Sequence, residues 1–61
     1  MDDKDAIQDA YTDQIEQLFK VLFTGYSQAN GDPHLLAQAL SHFQAGVALA
    51  RKARSDALGV L

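Results

Sequence analysis

The chain has no cysteine. Disulfides and thiolate metal sites are therefore excluded, and the redox compartment leaves no mark on the sequence. It has no excess of positive charge: five Lys and Arg stand against eight Asp and Glu, for a net charge of -3 and a pI near 4.9. That balance argues against a nucleic-acid or anionic-membrane partner for the chain as a whole. No apolar run approaches the roughly 20 residues that span a bilayer. Met1-Asp2-Asp3-Lys4-Asp5 is acidic where a secretory signal is basic and then apolar. A cytoplasmic location is the expectation, with export lacking a cleaved signal left open. The glycine-rich phosphate-cradling motifs and the paired-histidine zinc motif are also missing.

What remains is a short chain rich in apolar residues. Its 61 residues allow one small domain, and at 48% hydrophobic it favours folding over disorder. A domain of this size ordinarily needs staples, a metal or a partner chain.

The organising stretch is Asn30-Gly31-Asp32-Pro33, near the midpoint. Asn30 and Gly31 accept left-handed backbone angles at little cost and suit a helix end. Asp32 suits the cap of a following helix. Pro33, the single proline, suits its first position, where the missing N–H has no partner in any case. The reading is an all-α antiparallel hairpin: helix 1 over about 3–29, a turn at 30–32, helix 2 over about 33–58.

Before the turn, Ile7, Tyr11, Ile15, Leu18 and Leu22 recur at helical steps of four and three. Phe19, Phe23 and Tyr26 form a second row beside them. Asp2 or Asp3 can cap this helix, and the acids near its start suit the positive end of the helix dipole. Thr24-Gly25 is its weak point, since an interior glycine costs about 1 kcal/mol relative to alanine. Helix 1 either stops near Thr24 or runs to Ala29. The longer form is favoured, because Gly25 falls on the apolar row and can admit a close neighbour.

After the turn, Leu36, Leu40, Phe43, Val47, Ala50, Arg54, Ala57 and Leu61 form a heptad seam with one charged intruder. A second row runs Leu35, Ala39, His42, Gly46, Leu49, Ala53, Asp56, Val60. Together the rows cover roughly 160° of the helix. Ala39, Gly46 and Ala53 are seven apart, either a flat strip for close helix approach or small residues that merely fit between the arms. The acids of the first arm and Arg51, Lys52 and Arg54 of the second are expected side by side in an antiparallel hairpin, each surface pair contributing at most about 1 kcal/mol. Both helix dipoles are expected to be offset by these charges.

Two helices cover only part of each other, so an apolar face this wide implies an interface. The expected occupant is a second copy, giving a dimeric four-helix bundle, or a helix of another protein. The expected interface residues are Leu18, Phe19, Leu22 and Phe23 of helix 1 with Leu36, Leu40, Phe43, Val47, Ala50 and Arg54 of helix 2. Arg54 either snorkels to the edge or meets Asp5 or Asp9 across the hairpin as a register-setting contact.

Catalytic chemistry finds little support. His34 and His42 are the only histidines, too few ligands for a metal site. His34 reads as a solvated first-turn residue. His42 reads as a half-buried interface residue whose protonation would loosen assembly. Ser41 and His42 point about 100° apart on a helix, which does not build a nucleophile–base pair. No enzyme activity, cofactor or metal is expected. Arg51, Lys52 and Arg54 leave open a small RNA- or DNA-binding hairpin dimer.

Asp32-Pro33-His34-Leu35-Leu36-Ala37 resembles the start of the second helix in needle subunits of type III secretion systems. Those are short helical hairpins that polymerise, and the small co-chaperones shielding them are hairpins of about this size. The resemblance implies a secretion-associated subunit or chaperone, with no functional residues carried over. The second arm here is shorter than a needle subunit's, which favours a chaperone or adaptor over a filament.

Overall fold

The computed structural model describes residues 2–61. They form two helices, α1 (Asp3–Ala29) and α2 (Pro33–Gly59), each of 27 residues, packed side by side as a hairpin. The Cα trace measures 44 × 18 × 7 Å. The molecule is therefore a single layer one helix thick, with two broad faces.

The turn follows the backbone preferences of its residues. Asn30 (φ 51°) and Gly31 (φ 82°) both lie in the left-handed region, which asparagine tolerates and glycine enters freely. The Asp32 N–H donates to the Ala29 carbonyl at 3.0 Å. The Asp32 carboxylate then accepts from the N–H groups of His34 at 2.9 Å and Leu35 at 3.4 Å. Two of the four orphan donors of α2 are thus satisfied, and Pro33 needs no partner.

At the other end, Asp2 caps α1 by accepting from the Asp5 N–H at 2.9 Å. Asp3 and Asp5 lie in its first turn, where negative charge is stabilising. The last turn of α2 carries no basic residue. The expected offset of both dipoles is thus met at the start of α1 but not at the end of α2, because Arg51, Lys52 and Arg54 lie farther back along the helix.

Helix α1 continues through Thr24 and Gly25. The Thr24 hydroxyl donates to the Lys20 carbonyl at 3.0 Å, so it does not compete with the ladder from a non-helical geometry. Gly25 lies against α2: a Cβ built there would sit 3.0 Å from the Ala39 Cβ. Gly46 is closer still, with a built Cβ 2.6 Å from Leu18 Cδ2. Small residues on both helices thus bring the axes together. Of the expected small-residue strip, Ala39 and Gly46 face α1, while Ala53 remains exposed.

The half-buried row of α1 is Ile7, Tyr11, Ile15, Leu18 and Leu22; facing it on α2 are Leu36, Phe43, Val47, Ala50, Arg54 and Ala57. Leu40 departs from the expected seam and is 40% exposed. A straight helix drifts by about 20° per heptad against a strict seven-residue repeat. The line of contact passes through Ala39 and Gly46 and leaves Leu40 on the flank. Among the described residues, Ala29 beside the turn is the only buried hydrophobic side chain, at 5% exposure.

Candidate interaction surface

The geometry of the hairpin divides its uncovered surface into two faces. At 100° per residue, Phe19, Phe23 and Tyr26 stand on one flank of α1 and Val21 on the other. On α2, Leu40 and Arg51 lie on the same side as the aromatic rings. Leu35, His42, Leu49 and Ala53 lie on the side of Val21.

The Val21 side is a shallow groove. Towards the turn, Leu18, Val21, Leu22, Gly25, Ala39, His42 and Phe43 line a cleft of about 250 Å³. Towards the open end, Ile7, Ala10, Tyr11, Gln14, Ala50, Ala53, Arg54 and Ala57 line another of about 250 Å³. Glycines and alanines leave these hollows, because their side chains do not fill the valley between the helices. The opposite side is built of rings: Phe19 is 57% exposed and Phe23 64%.

The sequence-derived interface residues divide accordingly. Leu18, Leu22, Phe43, Val47, Leu36 and Ala50 are half-buried between the helices. Phe19, Phe23 and Leu40 are exposed on the aromatic side. Val21 and Leu49 are also exposed but fall outside that set. Val21 lies off both apolar rows of α1, so periodicity did not single it out.

Arg54 makes neither of the expected contacts. Its guanidinium lies over the Tyr11 ring, 4.1 Å from the centroid. The ring face carries negative electrostatic potential and tolerates partial desolvation of the cation, unlike a wholly apolar neighbour. Asp5 and Asp9 are exposed, and Tyr11 occupies the α1 position level with Arg54. A ring at that position was the available signal for this pairing. A double-mutant cycle with Arg54→Met and Tyr11→Leu is expected to give a coupling of about 0.5–1 kcal/mol in urea melts. Additive effects would show that the stacking contributes nothing.

Ion pairing departs from expectation in the same way. The described residues hold one salt bridge, Lys52 to Asp56 at 2.6 Å, one turn apart on α2. No acid of α1 pairs with a base of α2, because Asp9, Asp13 and Glu16 point away from the contact line. His42 is exposed in the single hairpin, since its row lies on the flank beside the groove. The His34 ring is 3.3 Å from the Gln38 side-chain nitrogen. Among the described residues, no three His, Asp or Glu side chains gather where they could hold a metal ion. No described helix is long and apolar enough to cross a membrane.

Comparison with protein-family models, with curated proteins and with solved structures finds no match to this chain.

Proposed function

We propose that the chain is a non-enzymatic protein–protein interaction module that works by docking its uncovered apolar surface onto other helices, in the first instance as a self-associating four-helix bundle. The observation that carries this reading is the contrast, among the described residues, between one buried hydrophobic residue, Ala29, and nine exposed large apolar side chains. A compact monomer of 6.6 kDa exposes about 3,900 Å², whereas the hairpin exposes 4632 Å². A docked helix removes part of this surface from water, and its apolar share contributes about 25 cal/mol per Å².

The acidic net charge and the stacking of Arg54 on a ring both weigh against nucleic-acid binding. An adaptor or chaperone role in the cytoplasm fits the same surface, with a client helix taking the second copy's place. Light scattering over a concentration series tests the reading. A dimer is expected. A compact, well-folded monomer at high concentration with nothing bound would overturn it.

A further inference from the structure

Resting on that reading, we infer that the partner is a second copy of this chain, docked through the aromatic side of the hairpin, with both turns at the same end of the bundle. Three observations point there.

The first is area. Two separate hairpins expose twice 4632 Å². A compact dimer of twice 6.6 kDa exposes about 6,400 Å². Packing two copies into such a body would bury about 2,900 Å², an area within the range of obligate homodimers, about 2,000–5,000 Å².

The second is composition. On the groove side, where Leu35 and Leu49 of α2 are also exposed, α1 offers Val21 as its one large exposed apolar residue, among Gln14, Gln17, Thr24 and Gln28. On the aromatic side it offers Phe19, Phe23 and Tyr26. These rings share the turn-proximal half of the hairpin with Leu36 and Leu40. A twofold axis along the length of the bundle lays this half against itself. A twofold axis across the length lays it against the half bearing Gln8, Thr12 and Arg51, and the rings stay wet.

The third is charge. Gly25 lies level with Ala39, Gly46 with Leu18 and Arg54 with Tyr11. By that register Arg51 stands level with residues 13 and 14. Arg51 is exposed and makes no salt bridge among the described residues. With the turns together, α1 of one copy runs antiparallel to α2 of the other at the same height. Arg51 then faces the flank of the second α1 that carries Gln8 and Thr12, with Glu16 at its outer edge. Each copy supplies one such set, so the complementarity occurs twice. With the turns at opposite ends, Arg51 comes level with the turn-proximal half of α1 in the second copy, whose one charged residue, Lys20, has the same sign.

The absence of native cysteine makes a spin-label measurement direct. His34→Cys, labelled with a nitroxide, places one probe per chain near the turn and away from the contact line. Turns at one end put the two probes about three helix diameters apart, roughly 30 Å. Turns at opposite ends put them nearly as far apart as the 44 Å length of the hairpin. Three variants accompany the distance. Phe23→Asp is expected to weaken the dimer by more than about 30-fold, and Leu49→Asp on the groove side to leave it intact. Arg51→Glu is expected to weaken it about tenfold at low salt, with recovery on adding Glu16→Lys.

A dimer whose probes lie near the 44 Å length of the hairpin, or one broken by Leu49→Asp and spared by Phe23→Asp, overturns this inference and leaves the docking reading standing. So does failure of the charge exchange to recover. A poorly folded monomer overturns the second copy as partner but keeps a foreign helix. A compact folded monomer overturns both.

Discussion

Diluted a hundredfold, the chain is expected to melt about 10–20 °C lower. Mass action on a dimer that binds only its folded form changes stability by about 2.7 kcal/mol over that range. In a domain of this size each kcal/mol moves the melting temperature by several degrees. The motive is a thin core: Ala29 is the sole buried hydrophobic residue described, and a half-buried seam offsets little of the entropy of ordering two helices. Far-UV circular dichroism melts at several concentrations provide the check. A melting temperature that stays constant across the series would mean that the hairpin is stable alone, and self-association would have to be abandoned.

Gly46→Leu is expected to cost about 3 kcal/mol, the upper end of overpacking penalties. A built Cβ at this position already lies 2.6, 3.3 and 3.5 Å from three atoms of the Leu18 side chain. Three further carbons cannot be placed without parting the helices, and the total stability of a chain this short is only about 3–9 kcal/mol. Gly46→Ala is a different case. Its single methyl displaces the end of a flexible leucine, while alanine gains about 1 kcal/mol in helix propensity, so the net change is expected within about 1 kcal/mol. Urea denaturation of the pair reads both values. If Gly46→Leu melted like the parent, close packing of α1 on α2 would not be what holds the hairpin shut.

The parts of this fold that sequence made legible are those governed by local rules. The left-handed angles of Asn30 and Gly31 and the capping carboxylate of Asp32 follow from what those residues do in any chain. The row Ile7, Tyr11, Ile15, Leu18, Leu22 follows from helical period alone. Features that depend on how one helix meets the other were less legible. Leu40 belongs to the heptad yet stands off the contact, because Ala39 and Gly46 draw the helices together along a neighbouring line. Arg54 was legible as an anomaly, but its partner is a ring and not a carboxylate, and periodicity does not choose between the two. The expected cross-hairpin ion pairs failed for the same reason: charge clusters can be adjacent along the axis while their side chains point elsewhere. Sequence marked Phe19 and Phe23 as interface residues, and the hairpin leaves them bare. The division of the surface into an aromatic side and a groove appeared only once the register was known.

The placement of Ala29 next to a three-residue turn also bears on the order of assembly. Closing so short a loop forfeits little chain entropy, and the first contacts formed join residues near in sequence, the kind that support rapid folding. The hairpin should therefore zip from its bend towards its free ends, with the open clefts around Ala53 and Ala57 the last region to close and the first to fray.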